Sequence, residues 1–228
     1  MSEHDTTATL AEQQDDFCLS HAEAREQLAG AHWTRFGVLG DSLAEGLGED
    51  LDGYRSLPWA DRVREVLAEE QAGLEYLNIG YRGLLAAQVR DGQLERMLAF
   101  RPDLVALTAG GNDLFTMGFD PTAIEACVED MVAQLRAGGA DVITYGLMDL
   151  GAAFSQLASL RPRMRALNER MRALSERHDA IYVDMWEHPV CGELSAYSAD
   201  MKHTSMRGHA VLAAETIKAL GARLRRAA

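Results

Sequence analysis

Five short apolar runs, separated by longer stretches in which apolar residues recur every three or four positions, set the main limit on how this chain can fold. The runs are Phe36 to Leu39, Leu74 to Ile79, Leu104 to Thr108, Val142 to Tyr145 and Ile181 to Val183. Each has the length of a strand and is too short for a buried helix. After the first, Trp59, Val63, Val66 and Leu67 stand at helical spacing behind Pro58, which suits a helix start because its missing N–H is not needed there. Ile124, Cys127, Val128, Met131 and Leu135 repeat the spacing later, as do Leu167, Met171 and Leu174, and finally Val211, Leu212, Ile217 and Leu220. Strands that alternate with helices cross over in parallel and need cover on both sheet faces. The expected fold is a three-layer α/β/α domain around a five-stranded parallel sheet, in the flavodoxin-like, doubly wound order.

The N-terminal part reads differently. Met1 to about Asp16 has the composition of a disordered tail. Ser20-His21-Ala22-Glu23 is a capping box, and predicts a helix running to Leu28 or Ala29 and stopping at Gly30. Residues 1–30 are therefore a polar tail with a short helix, and 31–228 a single domain.

Charge narrows the partners. A net charge of −13 leaves no basic patch to neutralise phosphates, which argues against nucleic acid and anionic membrane. The arginines of 161–172 and 223–226 sit on helical patterns and read as solvated faces. No apolar run approaches the ~18 residues of a membrane span, and the acidic start has no secretory pattern. Cys18, Cys127 and Cys191 share no metal or redox spacing. The expectation is a cytoplasmic protein without disulfides, metal or cofactor; its oligomeric state is open.

Chemistry concentrates where the runs end. In an open α/β sheet, ligand sites form beyond the carboxyl ends of the strands. Gly40-Asp41-Ser42-Leu43 follows the first run, Asn78-Ile79-Gly80 closes the second, and Gly110-Gly111-Asn112-Asp113 follows the third. Asp200-Met201-Lys202-His203 lies in the long loop after the fifth. A serine hydroxyl is a poor nucleophile unless a base reaches it and a partner orients that base. Ser42 with His203 as base and Asp200 as orienting carboxylate fits that need. The Ser42 N–H, the Gly80 N–H and the Asn112 side-chain amide are candidate oxyanion donors. Asp41 is expected to hold the loop, Asn78 and Asp113 to support their neighbours, and Arg82 to be a rim residue. Asp184, at the end of the fifth run, competes with Asp200. His209 is expected to pack or cap.

These four segments, in this order, resemble the blocks of the SGNH hydrolases, the GDSL-type esterases and acylhydrolases, over Trp33 to Leu220. Thr204 departs from the pattern, standing where many relatives have proline. The resemblance implies a serine ester hydrolase that acts on small-molecule esters or thioesters through an acyl-serine, with the catalytic and oxyanion residues just named. Acyl transfer would use the same residues, and an idle binding module of the same fold is the alternative outside enzymes. A dinucleotide site is disfavoured because Gly46-Leu47-Gly48 lacks a third glycine, and Ser42-Leu43-Ala44 is no α/β-hydrolase elbow. The pocket walls are expected from the loops Gly46 to Ser56, Phe115 to Pro121 and Leu147 to Gln156.

Overall fold

The computed structural model describes residues 11–227. Strands β1 (Arg35–Gly40), β2 (Glu75–Asn78), β3 (Leu104–Thr108), β4 (Asp141–Tyr145) and β5 (Ile181–Val183) form one parallel sheet in the order β2-β1-β3-β4-β5. This is the doubly wound three-layer architecture expected. Helices α1 (His21–Leu28), α2 (Ser42–Glu45), α3 (Trp59–Glu70), α4 (Ala86–Phe100), α5 (Pro121–Ala137), α6 (Leu150–Ala153), α7 (Arg161–Arg177) and α8 (Met206–Ala227) connect and cover it. No described helix is long and apolar enough to cross a membrane.

Strand alternation builds two cores. Phe36 and Val38 of β1, with Leu104 and Ala106 of β3, point to the side where Leu28, Trp59, Val63 and Val211 pack. Leu39, Val105 and Leu107 point to the other, against Val89, Met97, Val128 and Leu167. Side chains successive in a strand face opposite ways, so one run of apolar residues supplies both layers. Fully burying one such aliphatic side chain stabilises by about 1.5–3 kcal/mol, and dozens do so here.

The capping box at Ser20 forms as expected, with Ser20 and Glu23 exchanging hydrogen bonds at the start of α1. The N-terminal tail differs from its reading. Its first ten residues lie outside the described part, but from Ala11 on the chain is tied down. Glu12 pairs with Arg62 of α3, and Asp15 accepts from Arg207 Nε at 2.7 Å and from the Tyr54 hydroxyl at 2.7 Å. Charged residues that composition marks as solvated are here partners of buried arginines; Arg62 and Arg207 are 7% and 8% exposed.

Candidate active site

The serine turn is fixed from beneath. β1 ends at Gly40 with φ of +142°, and a Cβ there would run into the Thr108 backbone of β3, so only glycine fits. Gln93 of α4, itself buried, accepts the Gly40 N–H at 2.7 Å and donates to the Gly40 carbonyl at 2.9 Å. Asp41 then caps α2: its Oδ1 accepts from the Leu43 N–H at 3.1 Å and from Thr108 Oγ1 at 3.2 Å. Burial pushes the Asp41 carboxyl up to about 6 against these hydrogen bonds and the nearby His203. Ser42 is the first residue of α2, and among the described residues its N–H has no acceptor.

Across from it, one carboxylate does two things. Asp200 Oδ1 accepts the backbone N–H of Lys202 at 2.9 Å and of His203 at 3.0 Å, shaping a turn in which Met201 has φ of +61°. Asp200 Oδ2 lies 2.5 Å from His203 Nδ1. Partial burial works against its charge, yet these hydrogen bonds from the two backbone N–H groups and the imidazole hold the carboxyl at about 2. An ionised carboxylate only accepts, so the ring proton sits on Nδ1 and Nε2 is left as an acceptor. His203 Nε2 lies 2.9 Å from Ser42 Oγ. The turn is braced without proline: Thr204 bridges to Tyr197 as an antiparallel pair, and Ser198 donates its N–H to the His203 carbonyl at 2.8 Å.

The expected donors divide. Asn112 gives one amide hydrogen to the Leu84 carbonyl at 3.0 Å, which orients the group and leaves its second N–H toward the cavity it lines. Gly80 does otherwise. Its N–H already donates to Asn78 Oδ1 at 2.9 Å, and its Cα faces α2, where a Cβ would lie 2.6 Å from the Ala44 Cβ. Close packing on the serine turn explains that glycine. The Gly83 N–H, by contrast, has no described acceptor, and Gly83 is an exposed residue with φ of +79° and open space around its Cα. Arg82 on one side grips Glu45 of α2 (Nη2–Oε1 2.6 Å), and Leu84 on the other meets Asn112, so Gly83 stands between the serine turn and the asparagine. Asn78-Ile79-Gly80-Tyr81-Arg82-Gly83 holds two glycines, and the hydrogen bond that Gly80 gives to Asn78, with its packing on α2, tells them apart.

The remaining candidates have other partners. Asp184 pairs with Arg172 and accepts the Trp186 N–H at 3.1 Å. Asp113 accepts the Ala86 N–H at the start of α4, at 3.0 Å. Asn78 Nδ2 donates to the Ala44 carbonyl at 2.7 Å. His209 is buried; its Nδ1 accepts the Trp59 N–H at 3.3 Å, supplying the cap that Pro58 lacks for α3. Burial holds the His209 imidazole down, at about 4.

A cavity of about 150 Å³ opens beside Ser42 and His203. The loops contribute Leu47, Phe115, Leu147 and Met148, as the sequence suggests, but the walls also include core residues of α7, α8 and the segment after β5, namely Met164, Leu212 and Met185. At the mouth, Lys202 Nζ sits 4.6 Å from the centre of the Phe115 ring.

Residues 38–211 match the model of the GDSL-like Lipase/Acylhydrolase family. Among solved structures, the chain is similar to TesA (25% identity, 82% of this chain and 97% of that one, TM-score 0.68). It is similar in fold to Axe2, an acetylxylan esterase from Geobacillus stearothermophilus (19%, 85% and 95%, TM-score 0.67). The same holds for LAE5, an alpha/beta hydrolase enzyme from the metagenome of Lake Arreo, Spain (21%, 85% and 96%, TM-score 0.67). No curated protein matches the chain. With three quarters of its length inside the family model, the chain belongs to the GDSL-like lipase/acylhydrolase family and is a carboxylic ester hydrolase.

Proposed function

We propose that this chain cleaves small-molecule esters or thioesters through a covalent acyl-serine. The observation that carries the reading is the unbroken line from Asp200 Oδ2 to His203 Nδ1 (2.5 Å) and from His203 Nε2 to Ser42 Oγ (2.9 Å), ending at the cavity. Ser42 Oγ attacks the ester carbonyl while His203 Nε2 takes its proton. Asp200 fixes the ring tautomer and stabilises the imidazolium. Negative charge on the carbonyl oxygen is met by the N–H of Ser42, at the start of a helical turn, and by the free amide hydrogen of Asn112. For the third donor, the uncommitted N–H of Gly83 fits better than that of Gly80, which is given to Asn78. The tetrahedral adduct collapses as His203 returns the proton to the leaving oxygen or sulfur. Water, deprotonated by the same imidazole, then releases the acid and restores Ser42. The three free thiols suit a reducing compartment, in keeping with a cytoplasmic address.

The test is covalent labelling with a fluorophosphonate, which phosphonylates only an activated serine. Stoichiometric modification mapped to Ser42, abolished in Ser42→Ala and strongly slowed in His203→Ala, is the expected result. Labelling at another serine, or none under conditions where an ester is turned over, would overturn the reading.

A further inference from the structure

We infer that the cavity is an acyl pocket selecting straight, uncharged acyl groups of about four to six carbons; this rests on the acyl-serine reading above and sharpens it. Direction comes first. The proton for the leaving group is returned by His203, whose partner Asp200 has a side chain 48% exposed, so the leaving group departs on the solvent side. The acyl group stays on Ser42 and faces the opposite way, into the cavity. The walls there are core: Leu114, Met164, Met185 and Leu212 are buried. Polar atoms on that side are already engaged. The Tyr197 hydroxyl donates to the Cys191 carbonyl at 3.0 Å, and the Tyr145 hydroxyl lies 3.4 Å from Thr216 Oγ1, whose own hydrogen goes to the Leu212 carbonyl at 2.7 Å, so the phenol donates to that oxygen and both rings are left as apolar surface. The only described cation in the lining is Lys202, at the mouth, while the buried Asp41 carboxyl beneath Ser42 opposes a second negative charge. An acyl chain ending in a carboxylate therefore has no partner inside.

Size follows from volume. An apolar cavity of about 150 Å³ holds one molecule of benzene's size, about six carbons. The ester carbonyl and its oxygen occupy part of this space beside Ser42, which sets the range at butanoyl to hexanoyl. Longer chains meet close-packed core residues, and making room would force α7 or α8 to move.

The experiment is kcat/KM of the full chain on p-nitrophenyl esters of two, three, four, six, eight and twelve acyl carbons. A rise of about fourfold per added carbon from acetate, the ratio that corresponds to ~0.8 kcal/mol per buried methylene, is expected up to the four- to six-carbon range. A fall of at least about tenfold should follow at eight carbons. Succinate monoester should be turned over far more slowly than butanoate. Leu150, at the start of α6, also lines the cavity and is buried, so Leu150→Phe, which adds bulk to the wall, should lower the hexanoate-to-acetate ratio about tenfold. A flat profile, an optimum at acetate or propanoate, or an optimum at eight carbons or beyond would overturn the pocket while leaving the hydrolase intact. Absence of turnover on every ester, acetate included, would overturn both.

Discussion

Gln93 holds Gly40 by both of its backbone groups, accepting the N–H and donating to the carbonyl, from the middle of a helix whose neighbours at that face, Val89 and Met97, are apolar. The amide is the only side chain of that length able to satisfy both, and the residue it grips lies two positions before Ser42. Gln93→Leu leaves the buried Gly40 N–H without an acceptor, while the carbonyl keeps its bond from the Tyr81 N–H at 3.1 Å. Urea denaturation should show a loss of about 1–3 kcal/mol, the cost of one orphaned buried donor. The variant's kcat should fall with KM little changed, because the serine turn loses its support and the cavity does not.

Ser42→Ala removes one hydroxyl from a helix start whose cap is Asp41, so circular dichroism and thermal midpoint should match the parent. Ester hydrolysis should drop by about 10⁴-fold or more, the scale on which loss of a nucleophile is measured. Activity within threefold of the parent would show that another group attacks.

Removing the Asn112 amide should be a transition-state effect. Asn112→Ala is expected to lower kcat about 10²–10³-fold and to leave KM near its original value, as read from steady-state kinetics. A tenfold rise in KM at constant kcat would instead make Asn112 a ground-state binding residue.

Asp200→Asn separates the two duties of that carboxylate. Its oxygen can still accept the N–H groups of Lys202 and His203, so the turn survives. Its NH₂ takes the place of Oδ2 and can only donate to Nδ1, which drives the ring proton onto Nε2, where it cannot accept from Ser42. A kcat loss of about 10²–10⁴-fold is expected. Asp184→Asn, which breaks an ion pair with Arg172, should leave kcat within about threefold. Because Asp200 is held at about 2, an acid limb of the parent's pH–rate profile above about pH 3 has to come from other groups.

Two buried groups pull stability in opposite directions with pH. Asp41, raised to about 6 by burial, binds its proton more tightly folded than unfolded, so its contribution favours the fold below about pH 4 and is lost as pH rises through 6. His209, lowered to about 4 by burial, binds its proton less tightly when folded; its contribution is full above about 6.5 and is lost as pH falls through 4. Each amounts to about 3 kcal/mol by the size of the shift. Asp41→Asn deletes the first term alone. The difference in thermal midpoint, variant minus parent, should therefore move upward between pH 4 and pH 7.5, and the variant should lose stability on acidification more steeply than the parent.

The strands were readable because each is a short apolar run fed by both cores, and the runs Leu104 to Thr108 and Ile181 to Val183 coincide with β3 and β5. Helices α3, α5, α7 and α8 followed from period, whereas α4 was not legible, since Gln93 puts a polar side chain on its inward face. Ser42, Asn112, Asp200 and His203 could be listed from their positions after strands, and the fold brings them to one rim. Of the two glycines, sequence points to Gly80 alone as a donor; that its N–H goes to Asn78 while that of Gly83 has no described acceptor depends on where each N–H points, which a glycine does not encode. The same holds for residues 11–16: their acidic side chains look solvated until Arg62 and Arg207, far along the chain, are known to be buried beside them. Cavity depth was equally hidden, because Met164, Met185 and Leu212 read as ordinary core.

The bond between Asp15 and Arg207 joins positions 192 residues apart, and the contact of Ser42 with His203 spans 161. Both close only when the last part of the chain is available, since α8 supplies Arg207 and begins at Met206, just after the His203 turn. During synthesis, the sheet strands β1 to β4 can pair while the serine has no base, and chains of this kind assemble from the N-terminal side first. On the acyl-serine reading proposed above, a ribosome-bound or C-terminally clipped chain would carry an inert serine, and hydrolytic competence would arrive late, together with the closing of the fold's two ends.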